Sequence, residues 1–437
     1  MTVVALLVLV ATIGLVAGQW RAVSQHVRRI DIAVASPAIE RDWPPASLIL
    51  CVRGAEAGLA DCLDRLAAVD YPDVEIHVVI DHATDPSLPV AEQWRAAHPD
   101  IACAVHVLAD RSPHATLKCS AVDQALGLLS ARIAVAVLVD ADARVYPQWL
   151  KDMVRPTLDS VTGMATGNRW YDPTAAGLGS LIRFIYNANC VIPMHAGGMT
   201  WGGSLALRRA VFEHPEFRPC LRLSPTEDAT VRHAVDACGQ RLACLPAVML
   251  LTHDGISLNS CLGFIRRQLL WTRLYHPGWP LIAGGAVVAY AVALVITGVA
   301  IHTAWTGQPV ATAVLAGALV ITTLGNLVAI EWLHAAVSRC IAARQGIAVP
   351  AIDWLTRLRL LAALPLALPA FTWAAVSAAR AQSVTWSGVG YRIVGPGRIA
   401  LTDYAPVVAA EAAAGRAMEF ARQRSESLPR TFFVTRH

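Results

Sequence analysis

Two kinds of hydrophobic pattern alternate along the chain. Toward its ends, apolar residues run almost without interruption; in the middle they come in short blocks between helical stretches. Residues 2–18 form one long run, followed by Arg21, Arg28 and Arg29. Residues 281–301 and 310–330 form two more, each close to the ~20 residues a spanning helix needs. A further run, 360–376, is interrupted by Pro365 and Pro369. Between 30 and 265 no comparable run occurs. There, residues 47–52, 74–81, 101–109 and 133–140 read as strands, while 55–68 and 117–129 carry helical spacing. This alternation predicts an α/β domain built on a parallel sheet with helices on both faces. Ligands of such sheets bind beyond the C-terminal ends of the strands. Two strands end on acids, Asp81 and Asp140, which places Asp85 and Asp142 on the adjoining loops.

The charges beside the long runs predict how they lie. A signal peptide carries positive charge before its apolar run and small residues after it. Here the arginines come after, and Gly18-Gln19-Trp20 is a poor cleavage site. The expectation is an uncleaved anchor, residues 1–21, with its N-terminus outside and its basic flank inside. The loop 302–309 has no Lys or Arg and is expected outside, whereas Arg339, Arg344, Arg357 and Arg359 mark an inside loop. The tail holds eight arginines from Arg380 to Arg436, which argues against its export. Residues 360–376 are therefore expected to be re-entrant or interfacial, broken at the prolines. The expected domains are the anchor, a catalytic domain over 44–262 facing the cytoplasm, an interfacial helix over 263–278, membrane segments over 279–380 and a basic tail over 381–437.

Composition agrees with a membrane protein. Of 437 residues 55% are hydrophobic and 16% charged, below the quarter or so usual in soluble domains. A net charge of +4 is too small to argue for nucleic acid and suits a surface lying on anionic lipid. The ten cysteines form no CxxC pair, which disfavours zinc, and several sit in apolar runs as buried free thiols of a reducing compartment.

The acids carry the candidate chemistry. Asp140-Ala141-Asp142 supplies two hard carboxylates on one turn at the end of a buried strand, a fit for Mg²⁺ or Mn²⁺. A divalent ion there would neutralise a leaving diphosphate; Asp-rich turns also simply close loops. Glu227-Asp228 opens a helical stretch behind Thr226. The plain reading is helix capping, favoured by the dipole, and the functional one is a general base. Residues 263–276 mix Phe264, Arg266, Arg267, Trp271, Arg273 and Tyr275, as an interfacial amphipathic helix does, and Arg267 and Trp271 could also touch donor or acceptor. Lys118, near a helix start, could meet a phosphate, although a solvated surface lysine is the commoner case. Arg53, past the first strand, is placed with the donor. For His195 and His253 a structural role is the default, and Gly202-Gly203 fits close ligand approach or a tight turn.

Tyr71-Pro72, residues 81–86, Asp140 and Asp142, Gly203-Ser204, Glu227-Asp228 and Trp271-Thr272 together resemble the ceramide glucosyltransferases and the similar hopanoid-associated glycosyltransferases. The resemblance covers residues 1 to about 395. It implies a GT-A nucleotide-sugar fold with an N-terminal anchor and C-terminal membrane helices. It also implies Asp85 near the nucleotide, Asp140 and Asp142 near metal and diphosphate, Asp228 as base, and Arg267 and Trp271 as the ends of the last signature element. Trp386-Ser387-Gly388 with Tyr391-Arg392 looks like the family's C-terminal segment. Two positions depart, Leu270 and Ser387, where the family has arginines; replacing Arg removes a rigid donor fork. The expected activity is inverting transfer of a hexose from a UDP-sugar to a lipid hydroxyl at the bilayer. The alternatives are a processive polysaccharide synthase of the same superfamily and a catalytically impaired lipid-binding relative.

Overall fold

A computed structural model describes residues 1–36, 41–54, 58–174 and 177–408. After helix α1 (Thr2–Ala35) come β1 (Ala46–Val52), α2 (Leu59–Ala67), β2 (Val74–Ile80), α3 (Ser87–Ala97), β3 (Cys103–Val107), α4 (Leu117–Leu128) and β4 (Val135–Val139). The chain continues through α5 (Trp149–Val154), β5 (Thr162–Tyr171), α6 (Leu178–Ala196), β6 (Ser204–Arg208), α7 (Arg209–Phe212), α8 (Phe217–Leu221), α9 (Glu227–Ala237) and β7 (Arg241–Thr252). Four long helices follow, α10 (Leu258–Tyr275), α11 (Trp279–Trp305), α12 (Pro309–Gln345) and α13 (Trp354–Arg380), and then β8 (Ser383–Trp386), β9 (Val389–Gly395) and β10 (Arg398–Asp403). The four expected strands lie within one or two residues of β1 to β4.

Seven strands form one sheet in the order β3-β2-β1-β4-β6-β5-β7. Its first half is parallel, as the sequence predicts, and β4 reads Val-Ala-Val-Leu-Val with every residue buried, the pattern of a strand covered on both faces. The second half departs from the expectation, because β6 runs antiparallel to both β4 and β5. One apolar layer under the sheet joins Leu63, Leu66, Trp94, Trp149 and Met153; the other joins Val122, Leu126, Leu205, Phe217 and Val235. Burial pushes the Cys51 and Cys62 thiols up to about 12, so these are unreactive core groups.

The apolar helices are longer than their hydrophobic runs. α1 continues to Ala35 and α12 to Gln345, because the ends of both pack on the sheet domain. Val27 and Ile30 of α1 join Leu333, Val337 and Ile341 of α12 around Trp170 and Phe184. Farther along the pair, Trp20 Nε1 donates to the Gly325 carbonyl at 2.8 Å. A methyl at Gly325 would overlap Val16, so this close helix crossing needs the glycine. At the other end Arg344 pairs with Asp152 at 3.0 Å and Gln345 donates to the Met249 carbonyl.

Three expectations need correction. The segment expected to break at its prolines is one continuous helix, α13, through Pro365 and Pro369. The prolines lie four apart, so the lost N–H bonds fall on one face, and packing on α6, α10 and α11 holds the rest. The interfacial helix starts at Leu258 rather than 263, capped by the Ser257 hydroxyl. The region 381–437 is not a tail throughout, since β8, β9 and β10 form a second, antiparallel sheet whose Val389, Tyr391 and Ile399 are buried against α10. Residues 409–437 lie outside the described residues.

Among the described residues four helices are long and apolar enough to cross a membrane: α1, α11, α12 and α13. Both ends of α13, however, are tied to helices, α12 and α10, whose ends pack on the sheet domain. Near its start Arg357 pairs with Glu331 at 2.6 Å, one turn from His334, which accepts from Trp170 of β5. At its end Arg273 of α10 donates to the carbonyls of Ala378 and Ala381, both at 2.8 Å. Residues on β9 should therefore share a side with the exposed Cys220, and loop 302–309 should not. A membrane-impermeant thiol reagent checks this in intact cells. Val394→Cys should react as Cys220 does and Thr306→Cys in the opposite way; matching behaviour of Val394→Cys and Thr306→Cys would show that α13 crosses.

Candidate active site

Charged groups collect where the sequence places them, beyond the C-terminal end of β4. Val139 ends the strand, and the chain turns sharply, with the Ala143 N–H donating to the Asp140 carbonyl at 2.9 Å. This turn aims Asp140 and Asp142 at one guanidinium, that of Arg169 on β5. Arg169 donates to Asp142 at 2.7 and 2.8 Å and to Asp140 at 3.1 Å, and its face lies 4.9 Å from the Trp201 ring centre. On the other side Lys118, in the first turn of α4, reaches Asp140 at 2.8 Å and Glu227 at 2.7 Å. Thr116 caps α4 and fixes that first turn.

The electrostatics follow from this alternation of signs. Burial alone would pull the Lys118 ammonium down, but Asp140 and Glu227 hold it well above its usual value. Burial would raise Asp140, and Lys118 and Arg169 outweigh it, so this carboxyl stays below the usual range. Lys118 is thus no solvated surface lysine. Glu227, almost fully buried, does not cap its helix; it is the second partner of Lys118. Two glycines make room here. A Cβ at Gly202 would overlap the Glu227 carboxylate, and one at Gly203 would meet Asp140 and the Trp201 ring.

Asp228 behaves differently. Its carboxyl is raised to about 6, first by burial and then by the neighbouring Glu227 charge, with Lys118 and local hydrogen bonds opposing. One of its oxygens accepts from the Ala229 N–H at 2.7 Å. A carboxyl poised near neutrality in a polar crevice suits proton abstraction. Burial, and in smaller part the Asp228 charge, pushes the Tyr275 hydroxyl at the end of α10 well above its usual value, which brings the last turn of α10 to the same place.

Arg267 and Trp271 sit one helical turn apart on α10 and face β8. The Trp271 ring lies 6.1 Å from that of Trp386, and the Arg267 guanidinium lies 6.0 Å from the Trp386 ring and 5.9 Å from Phe264. Leu270, on the adjoining face, is buried among Ala374, Ala375 and Tyr391. The departure at 270 is therefore a packing position, and guanidinium groups stand on either side of it at Arg266, Arg267 and Arg273.

Asp85 and Arg53 lie at the ends of β2 and β1. Asp85 is buried and accepts from the backbone N–H of Gly54 at 2.8 Å and of Ser87 at 2.9 Å, which ties the two strand-end loops together. Arg53 uses all three nitrogens on protein groups: the Ser387 carbonyl at 2.9 Å, the Ala405 carbonyl at 2.7 Å and the Asp81 carboxylate. Arg111 also reaches Asp81, and the Tyr404 hydroxyl lies 3.3 Å from both Asp81 oxygens. The C-terminal sheet thus covers this end of the crevice. His253 pairs with Asp172 at 2.8 Å, and His195 packs on His26. Sequence reasoning missed Arg169, Arg111 and Tyr404. A lone arginine in a strand, or a tyrosine in a basic tail, carries no local signal of the acids it meets.

The donor set fits a hard divalent ion in part. Among the described residues no three acid, His or Cys side chains converge. Yet Asp140 and Asp142 converge on a single nitrogen of Arg169, so a cation position between two carboxylates is built in. Two carboxylates suffice for Mg²⁺ or Mn²⁺ when substrate phosphates and waters complete the shell.

No curated relative matches the chain. Among solved structures it is similar to a mannosyltransferase from Pyrobaculum calidifontis in complex with GDP-Man and Mn²⁺, at 20% identity over 85% of this chain and 97% of that one, with a TM-score of 0.43. It is also similar to glucosyl-3-phosphoglycerate synthase from Mycobacterium tuberculosis in complex with Mn²⁺ and UDP-Glc, at 18% identity over 57% of this chain and 83% of that one, with a TM-score of 0.34. At such scores neither neighbour says anything of the donor or acceptor here. The sequence profile of glycosyl transferase family 21 matches residues 6–399, from the first apolar helix to the second sheet. The match takes in every acid of the crevice and both α10 residues, and the chain belongs to glycosyl transferase family 21, a family of glycosyltransferases.

Proposed function

We propose that this glycosyltransferase moves a hexose from a nucleotide diphosphate sugar, with UDP as the nucleotide, to a hydroxyl of a membrane lipid such as a ceramide, with inversion. One observation carries the reading. A carboxyl near neutrality, Asp228, stands beside a charge lattice of Asp140, Asp142, Lys118, Glu227 and Arg169, and α10 joins that lattice to helices long and apolar enough for a bilayer. The catalytic domain lies on the cytoplasmic side of the membrane, where nucleotide sugars are made.

Asp140 and Asp142 are the residues that would hold Mg²⁺ or Mn²⁺. When bound, the ion acts as a Lewis acid that neutralises charge on the departing diphosphate. Arg169, which holds both carboxylates, supplies positive charge beside the same phosphates, and Lys118 keeps Asp140 ionised. The lipid hydroxyl approaches along α10, between Trp271 and Asp228. Its oxygen attacks the anomeric carbon, the bond from that carbon to the diphosphate oxygen breaks, and the hydroxyl proton passes to the Asp228 carboxylate. A single displacement inverts the anomeric centre. Arg267 and Trp271 wall the acceptor side, and Asp85 and Arg53 fix the loops that meet the nucleotide. A polysaccharide synthase needs a translocation path, and three crossing helices, α1, α11 and α12, are few to enclose one.

The base assignment has a pH signature. Asp228 works as an anion, so kcat/KM should be low in acid and rise to a plateau as pH passes about 6. Asp228→Asn should remove that limb and cost about 100- to 10,000-fold in turnover, or ~3–5 kcal/mol of barrier, while UDP-sugar binding stays near wild type. Asn serves at a helix start as well as Asp does, so stability should hardly change. A purified Asp228→Asn protein with wild-type turnover and an unchanged pH limb would end the assignment.

For the metal, transfer of sugar to a lipid extract should stop in excess chelator and return with Mn²⁺ or Mg²⁺. Asp140→Asn should lose turnover by orders of magnitude with its thermal unfolding little changed. Full activity in chelator would overturn the metal role. Release of UDP tied to a new glycolipid, seen by mass spectrometry, supports the lipid acceptor; an insoluble polymer would support the synthase.

A further inference from the structure

Two cavities open on either side of one arginine where α10 crosses α13. The larger, about 500 Å³, is lined by Arg266, Trp373, Val376, Ser377, Arg380 and Gln382. The smaller, about 280 Å³, takes in Arg266, Arg267, Leu270 and Thr385. Neither lining includes a carboxylate. Among the described residues Arg266 Nε is buried without a hydrogen-bond partner, and neither Arg266 nor Arg380 meets an acid. A buried, unanswered guanidinium nitrogen is costly, and an anion is its natural complement.

The walls narrow the choice of anion. Trp373 is half-exposed, Val376 and Ala381 line the floor, and the outer face of α13 presents Leu358 and Leu366. α11 leaves the same spot toward the apolar layer: Thr372 of α13 donates to the Ala286 carbonyl of α11 at 3.2 Å. Two guanidinium groups without counter-charge, beside an indole and aliphatic walls at the root of an apolar helix, match a phosphate bearing acyl chains.

We propose that the α10–α13 cavity binds an anionic phospholipid, with Arg266 and Arg380 on the headgroup phosphate and Trp373 and Val376 against the first methylenes of an acyl chain. The proposal goes beyond the transfer reaction and rests only on α10 and α13 lying at the bilayer surface. Occupancy bridges α13 to the helix that carries Arg267 and Trp271, so the lipid braces the acceptor side from outside the reacting atoms.

The test uses the full chain in nanodiscs of equal parts phosphatidylglycerol and phosphatidylcholine, followed by detergent extraction and native mass spectrometry of retained lipid. Phosphatidylglycerol should be retained in preference. The double variant Arg266→Gln, Arg380→Gln should hold at least about tenfold less of it, as expected when charge-assisted bonds to a phosphate are lost. Arg266→Lys with Arg380→Lys should keep most, and UDP binding should be unchanged in both, which also shows that the variants are folded. Equal retention of the two lipids, or unchanged retention in the Gln variant, would overturn the proposal. Displacement of the lipid by millimolar inorganic phosphate would also overturn it, in favour of a free-anion site. Selective retention without any glycolipid product would leave this site standing and end the transfer reading instead.

Discussion

The Lys118 ammonium holds the crevice together. It lies between Asp140, at the end of a core strand, and Glu227, at the start of α9, with all three side chains largely withdrawn from water. Removing Lys118 would leave two acids without their shared counter-charge and cost roughly 3–5 kcal/mol, although the set as a whole adds little net stability. Its value is positional. It pins α4, β4 and α9 at one point, and it holds the Glu227 side chain next to Asp228. That fixed neighbouring charge, with burial, lifts Asp228 toward neutrality. The structural pair and the reactive carboxyl are two consequences of one arrangement.

The second constraint is that one molecule must satisfy two solvents. The sheet domain is covered by helices on both faces, as soluble α/β domains are. Its α6 edge, however, is shared with α1, α10, α12 and α13. Buried apolar side chains at this seam, Trp170, Phe184, Leu333 and Leu360 among them, join the domain to the membrane helices as one core. α13 is tied at its two ends by Glu331 of α12 and Arg273 of α10. The chain after α13 returns to the crevice.

That return matters for chemistry. β8, β9 and β10 place Trp386 against Trp271, the Ser387 carbonyl on Arg53, the Tyr391 hydroxyl on the Leu117 N–H and Tyr404 on Asp81. The far end of the chain thereby touches the ends of β1 and β2 and the start of α4. Arg53 and Asp81, beyond the ends of β1 and β2, are covered by residues more than 300 positions away along the chain.

The sequence by itself determined much of this. Uninterrupted apolar runs fixed the long helices, period and length fixed the first four strands, and an acid following a buried strand fixed the place of Asp140 and Asp142, because local patterns set local structure. Only tertiary structure decided the antiparallel turn of β6, the continuity of α13 through two prolines and the second sheet inside an apparent basic tail. These depend on what packs alongside, not on neighbouring residues. The same holds for partners. That Lys118 and Arg169 belong to the acids, that Glu227 pairs rather than caps, and that position 270 faces a core are facts of distance in space. Coulomb attraction and burial act between groups far apart in the chain, and no local pattern records them.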